Sequence, residues 1–470
     1  GQSENYIELS NPKKGFYEQN PEDWFKSTLK CFNKLKNNYP KEYRSVQSIG
    51  ISGQMHGATL IDKNNNILRP CILWNDTRST SQCIEMQKKL PKLTKITGNI
   101  PMPGFTAPKI LWIKENEKKI FKKIHKILLP KDYLRYKLTK TFFSDMSDAS
   151  GTLWLDVKKR QWSDEMLNLV DLNLNHMPEL VEGTEPTGFL TNKIKYQLGF
   201  EKNIILAGGA GDQAAGAIGS GVIHSHQSVI SLGTSGVYFS PISKYSSNTN
   251  QAVHSFCHCI PNTWHHMSVM LSATNCLNWI SKLNNIRIKE AIEKAENYFS
   301  KNFDIYATPF FLPYLTGERT PLNNPFIRGS FNNISTSTTI ESMIYAVIEG
   351  ISFGIKSGYD AVHHVSKESK DIYLIGGGSK NIFWGNLMAS ILNHDLLIGE
   401  ESSLGSAFGA ARLAMLSTKK YDVSNVITKM KIVKKCKKNK EKNILLLKRY
   451  KLWKEFVKSS NDLSKKYYIT

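Results

Sequence analysis

The chain has little cysteine: seven in 470 residues, with no C-x-x-C pair. That is no disulfide framework, and the plain reading is a reducing compartment, the cytoplasm. No run approaches the ~18 apolar residues of a membrane span, and no basic-then-apolar signal opens the chain. Short-period repeats and low-complexity tracts are also missing. Acidic residues are scarce beside basic ones, 40 against 62, for a net charge of +22. Such an excess invites a nucleic-acid reading. Here the lysines are scattered and accompanied by many asparagines, the composition an A/T-rich genome produces without a selected partner. Neither a specific nucleic acid nor a membrane is expected as a partner. The densest basic stretch, near the C-terminus, carries an apolar stripe (Leu446, Leu447, Tyr450, Trp453, Val457), so its lysines read as the solvated face of a helix.

What is present is ordinary for a globular protein, with 40% hydrophobic and 22% charged residues. The length predicts two or three domains. "NPEDWFKSTLKCFNKL" has the spacing of an amphipathic helix with a proline and acidic residues in its first turn. "VQSIGISGQMHGATLIDKNNNILRP" reads as strand, glycine corner, strand, turn and short strand. "CILWNDTRSTSQC" runs from a strand into a helix, and "TAPKILWIKENEKKIFKKI" reads as one helix. "SDASGTLWLDVKKRQWSDEMLNLV" predicts an edge strand, a turn and a helix. "SVISLGTSGVYFS" is a glycine hairpin, "DIYLIGGGSKNIFWGNLMASIL" a strand, glycine turn and helix, and "SSLGSAFGAARLAML" a helix of small residues suited to close packing. The same grammar in both halves predicts two related α/β domains with a cleft between them. The boundaries expected are 1–223 and 229–416, joined through Ser220 to Ser228, with 417–470 as a basic helical appendage.

A metal reading competes at "AVHSFCHCIPNTWHHM", which holds His254, Cys257, His258, Cys259, His265 and His266. The stretch looks like two strands of a meander, whose successive side chains point to opposite faces. Core and cross-strand packing therefore reads better than a zinc site.

Phosphate chemistry is the next question. "NIILAGGAGDQAAGAIGSG" places glycines after an apolar run, yet Asp212 stands in the middle, where a phosphate would be repelled. The dinucleotide spacing G-x-G-x-x-G fails, because Gly209 and Gly211 are followed by Ala214, and no Asp or Glu lies from Gln213 through Gln251. There is no G-x-x-x-x-G-K-[ST] P-loop either. Separated hairpins remain. In "LGTSG", Gly233 permits close backbone approach, and Thr234 and Ser235 offer hydroxyls to phosphate oxygens, although a plain hairpin turn has the same look. In "LIGGGSKN", bare glycines could take a flat ring and Asn381 an adenosine edge. "GQMHG" sets a carboxamide and an imidazole between glycines, chemistry suited to a polyol, while His56 alone also fits a satisfied loop histidine.

Taken together, "GISGQMHGATL", "LRPCILWNDTRS", "TGNIPMPGFTAPKILW", "LLPKDYLRYKLT", "SDMSDASGTLWLDV", "SLGTSGVYF", "FLPYLTGERTPLNNP" and "LIGGGSKN" resemble the FGGY family of carbohydrate kinases, from about residue 16 to residue 416. "GQMHG" and "PGFTAPK" favour its D-xylulose branch over the glycerol, gluconate and ribulose branches. The resemblance implies a two-domain actin-like or hexokinase-like ATPase fold (ribonuclease H-like), α/β, with an interdomain cleft. The activity implied is transfer of phosphate from ATP, with Mg2+, to D-xylulose. Asp212 matches the family's catalytic aspartate, and Met55 and His56 match its sugar-contacting pair. Gln213 sits where the residue after the base touches substrate. Gly233 and Thr234 match a phosphate hairpin, and Gly377, Gly378 and Asn381 the adenosine loop. No metal ligand is assigned, and a homodimer is left open. On this reading the carboxylate is the purpose of its glycine turn: phosphoryl transfer to an alcohol needs a base at the attacking hydroxyl.

One departure stands out. Family members carry a strand, a "D-x-G-T-[ST]" phosphate hairpin and a second strand ahead of the segment resembling "NPKKGFYEQNPEDWF", and no such motif precedes it here. Either the sequence is a fragment lacking roughly twenty residues, the length such a unit needs, or the hairpin is lost and the protein is a catalytically impaired sugar-binding relic. Another pentulose or polyol as substrate is the alternative within enzymes.

Overall fold

The computed structural model describes residues 7–400 and 405–469. The chain divides into two compact units. The first takes the chain to Gly221, then Ser255–Trp264 and residues 405–429, and the second takes Val222–His254, residues 265–400 and residues 430–469. The first crossing runs from Gly221 to Val222.

In the first unit, Asn20 caps the helix Pro21–Asn38 by accepting from the Glu22 N–H at 3.1 Å, and Pro21 opens it. Phe25, Leu29 and Phe32 form its apolar stripe, packed against Tyr43, Leu198, Phe200 and Ile204. Two interrupted strands run side by side: Ser48–Ile49 pairs in parallel with Ile205–Ala207, and Ser52–Gly53 with Ala210–Gly211. Pro186–Phe189 adds an antiparallel edge to the first pair. The small-residue helix Gly405–Ser417 packs along the helix Asp212–Gly219, and Arg412 Nη1 donates to the Ile218 carbonyl at 2.8 Å. The helix expected as one piece over "TAPKILWIKENEKKIFKKI" is two, Thr106–Asn116 and Lys118–Phe121. Glu117 leaves helical geometry at the break (φ −129°, ψ 51°), and its carboxylate pairs with Arg69 at 3.2 Å.

Among the described residues, the second unit carries six neighbouring strands of one sheet. Their order is residues 265–270, Gly236–Ile242, Gln227–Leu232, Asp371–Ile375, Leu396–Gly399 and Ile432–Cys436. The buried helix Ile340–His363 runs through its core, opened by a capping box between Thr339 and Ser342. The tail expected as an appendage is built into this unit. Residues 432–436 extend the sheet, pairing antiparallel with Leu396–Gly399. Leu446, Tyr450, Trp453 and Val457 of the helix Lys440–Ile469 belong to the main core. The apolar stripe was visible in the sequence, but the lysines around it hid how much surface it buries. Arg449 is fully buried and pairs twice with Glu349, at 2.8 and 2.7 Å. No helix among the described residues is long and apolar enough to cross a membrane.

Candidate active site

The parallel pairing of Ser52–Gly53 with Ala210–Gly211 decides what meets in the first unit. Because Gly211 lies opposite Gly53, the residues that follow, Gln54-Met55-His56 on one strand and Asp212-Gln213 on the other, leave the strands at the same end. Gly209 makes the approach possible: its φ is +72°, and a Cβ there would stand 2.1 Å from the Ile51 carbonyl oxygen. Met55 lies against Gly211, with Sδ 2.9 Å from where a Cβ would be. His56 adopts φ 70° and is buried. Its Nδ1 is 2.7 Å from the Gly151 carbonyl oxygen, which can only accept, so Nδ1 carries the proton it donates. Phe105 meets the ring edge-on at 4.8 Å, and Lys109 Nζ and Thr106 Oγ1 donate to the His56 carbonyl at 2.9 and 3.1 Å.

Asp212 is the first residue of its helix, where the positive end of the backbone dipoles favours a carboxylate. Gln213 donates to it twice, from its backbone N–H at 2.9 Å and from Nε2 at 3.2 Å. Burial still raises its pKa above the ordinary aspartate value, outweighing those two bonds. A partly exposed carboxylate held by its neighbour, with raised proton affinity, is suited to general-base work.

Behind Asp212 lies a buried charge cluster to which the sequence reading gave no role. Lys131 Nζ stands 2.6 Å from Asp132, 2.7 Å from Asp145 and 3.5 Å from Asp148. Arg135 pairs with Asp132 at 2.9 Å and also donates to the Gly208 carbonyl, in the loop that leads to Asp212. Asp145 accepts from Ser147 Oγ and its N–H, and Ser147 Oγ accepts from the Gly211 N–H at 3.1 Å. Asp148 Oδ1 has no hydrogen-bond partner. Burial, together with Asp132, Asp145 and Asp212, pushes the Asp148 carboxyl well up against the pull of Lys131. "LLPKDYLRYKLT" and "SDMSDASG" held the signal. A helix bearing Lys, Asp and Arg between large apolar and aromatic residues, answered by paired aspartates, needs a buried network once it packs.

The second unit brings together the other residues singled out. The strands Gln227–Leu232 and Asp371–Ile375 are parallel, with Ser231 opposite Ile375, so the Gly233–Thr234 turn and Gly376–Gly377–Gly378 emerge side by side. Gly376 has φ +89° and stands against the Leu232 carbonyl, at 2.7 Å from a would-be Cβ, while Gly377 faces open space. Thr234 and Ser235 are exposed. Asn381 caps the helix Ile382–Leu392, its Oδ1 accepting from the Trp384 N–H at 3.0 Å, so its amide NH2 is the end suited to a ligand. Thr274, absent from the sequence reading, holds the turn by donating N–H and Oγ1 to the Gly233 carbonyl at 3.1 and 2.8 Å.

The histidine and cysteine stretch packs as core. His254 is buried, and desolvation pushes its imidazole down to about 3. The Cys257 N–H donates to Ser150 Oγ at 2.9 Å, and His266 Nε2 meets the Ser246 carbonyl at 2.8 Å. Among the described residues, no group of three or more His, Cys, Asp or Glu could hold a metal ion.

Comparison with known proteins defines the class. Residues 1–219 match the N-terminal domain, and residues 228–418 the C-terminal domain, of the FGGY family of carbohydrate kinases. The chain belongs to that family, and it is a sugar kinase with the two-domain fold of that family. Among its relatives, the xylulose kinase of Escherichia coli K12 is 44% identical over 412 residues, 87% of this chain and 84% of that one. The xylulose kinase of Klebsiella pneumoniae is 43% identical, over 87% of this chain and 83% of its own. A crystal structure of a "xyloylose kinase" from Brucella ovis superposes with a TM-score of 0.93 at 39% identity, covering 97% of this chain and 93% of that one.

Proposed function

We propose that the protein transfers phosphate from ATP to D-xylulose, giving D-xylulose 5-phosphate. The observation that supports the site is the register of Gly53 on Gly211, by which the segments carrying Met55 and His56 and carrying Asp212 leave their strands at the same end, with Met55 against Gly211. The choice of pentulose is supported by the relatives above 40% identity, which are xylulose kinases.

In this reading Asp212 accepts the proton of the attacking hydroxyl, and Gln213 orients it through its two hydrogen bonds. His56, with Nδ1 committed to Gly151, presents Nε2 as an acceptor for a sugar hydroxyl, and Met55 packs the sugar's carbon face. The exposed Thr234 and the backbone of Gly233 hold phosphate oxygens. Gly377, Gly378 and the Asn381 amide hold the adenosine. The residue ranges 1–223 and 229–416 then divide the labour between sugar and nucleotide. Mg2+ would enter as the companion of ATP, held chiefly by its phosphate oxygens, with no protein ligand assigned to it. When bound, it neutralises phosphate charge.

A coupled ADP-release assay with D-xylulose, D-ribulose, glycerol and gluconate tests the proposal, with the phosphorylated carbon assigned by NMR. The highest kcat/KM should fall on D-xylulose with phosphate on C5. Preference for another acceptor would overturn the substrate, and absence of turnover with all four would overturn the activity.

A further inference from the structure

The second unit contains a buried acid with no part in the proposed phosphate transfer. Glu318, in "TGERTP", is 3% exposed. Its backbone N–H and carbonyl both pair with Asn324 at 2.9 Å, which fixes where the side chain starts. The carboxyl reaches a neighbouring segment: Oε1 accepts from the Leu271 N–H at 3.0 Å and from the Arg319 N–H at 2.7 Å. Residues on either side of Glu318 stitch to the same segment. Thr316 Oγ1 lies 2.9 Å from Ser272 Oγ, and the Thr320 N–H donates to the Val269 carbonyl at 3.2 Å.

That segment in turn carries the phosphate turn. The Ala273 and Asn275 N–H groups donate to the Thr234 carbonyl at 2.9 and 3.3 Å, and Thr274 donates twice to the Gly233 carbonyl. Residues 233–234 therefore hang on residues 273–275, and residues 269–272 hang on residues 316–320. The central link is the bond from the Leu271 N–H to Glu318.

We propose that Glu318 is a positioning residue for the nucleotide, fixing residues 271–275 and through them the Gly233–Thr234 turn, so that its acceptor oxygen sets the affinity for ATP. The proposal rests on the reading of that turn as phosphate-binding. The groups that face the carboxyl are Arg319 on its own segment, Tyr314, and Cys276 on the next helix, while His254 faces Arg319. Each is buried or held in place, and none replaces the bond to Leu271.

The test titrates a non-hydrolysable ATP analogue with magnesium, and separately D-xylulose, into wild type, Glu318→Asp and Glu318→Gln by calorimetry. Shortening the side chain by one methylene withdraws the acceptor from Leu271, so E318D should weaken the nucleotide about tenfold and leave the sugar unchanged. E318Q keeps a carbonyl oxygen at the same reach and should recover most of the loss. Wild type that fails to bind the analogue would bring down the reading of the turn and the proposal with it. Wild type that binds, with E318D binding equally well, would overturn the positioning role alone. Equal weakening of both ligands by E318D, or no recovery in E318Q, would also overturn it, since either marks a general loss of structure.

Discussion

The Gly211 N–H, one residue before Asp212, donates to Ser147 Oγ at 3.1 Å. Ser147 is itself tied to Asp145, and Asp145 to Lys131 at 2.7 Å, so the backbone that carries the proposed base is anchored in buried charge. Replacing Ser147 by Ala leaves the Gly211 N–H unpaired and Asp145 short of a donor. We expect kcat to fall about tenfold, as the cost of a lost hydrogen bond to a buried group implies. The half-saturation for ATP should not move, and steady-state kinetics on both substrates check this.

Asp212→Asn removes the proposed proton acceptor while keeping shape. Turnover should drop by about two to four decades, the usual worth of a general base, with ATP binding retained. The pH profile carries a second signature. The base must be ionised to act, so the rate falls as pH drops through its pKa. Because burial raises that pKa, the acid limb of kcat should lie above the range of an ordinary aspartate. A limb at the ordinary value would show that Asp212 is not the rate-governing group.

Much of this site was legible because it is written in short words. "GQMHG" and "GAGDQ" each hold their proposed residues within a few positions, and strand pairing brings the two segments out at one end. "LGTSG" and "LIGGGSKN" were readable for the same reason. Lys131, Asp145 and Asp148 had quoted motifs but no role, since their meaning arises only when the helix Pro130–Thr139 folds onto the turn at Asp145. Thr274 was silent, and Glu318 sat in a quoted motif without a role, because each acts on a backbone group more than 40 residues away, which no local pattern encodes. The tail was misjudged because charge dominates its composition while four large apolar side chains dominate its packing.

His56→Ala should raise the half-saturation for D-xylulose and leave that for ATP unchanged, because its ring is held by Gly151 and Phe105 within the first unit. Losing one hydrogen bond to a neutral hydroxyl implies about a tenfold effect at most. A matched loss for both ligands would point to collapse of the loop instead, since the His56 carbonyl also receives Lys109 and Thr106.

Stability should carry the imprint of Glu318. Burial raises its pKa from 4.5 to about 8. Between those values the folded protein holds a proton that the unfolded chain has released, so stability from this group is full below the lower value and declines as pH rises toward the upper one. Glu318→Gln cannot titrate. The difference in Tm between variant and wild type should therefore shift in favour of the variant from pH 5 to pH 8. A constant difference across that range would contradict the raised pKa.

The last expectation concerns the helix Lys440–Ile469. Arg449 and Glu349 form a fully buried, twofold pair, and the remaining guanidinium N–H groups donate to the carbonyls of Ile305, Thr308 and Pro309 at 2.8 to 3.1 Å. Tyr450 adds a bond to Asp360 at 2.8 Å, and Trp453 one to the Phe311 carbonyl at 2.8 Å. Arg449→Met preserves apolar bulk but leaves Glu349 buried without its cation and three carbonyls without their donor. Breaking one side of such a pair typically costs about 3–5 kcal/mol, whereas replacing both sides by apolar groups is close to neutral. Denaturant unfolding of the second unit should show R449M strongly destabilised and R449M/E349M partly restored. A mild effect in R449M would mean that the tail helix contributes little to the unit, as its charge alone suggests. Restoration in the double variant would show that the pair's desolvation, rather than its attraction, makes the single change costly.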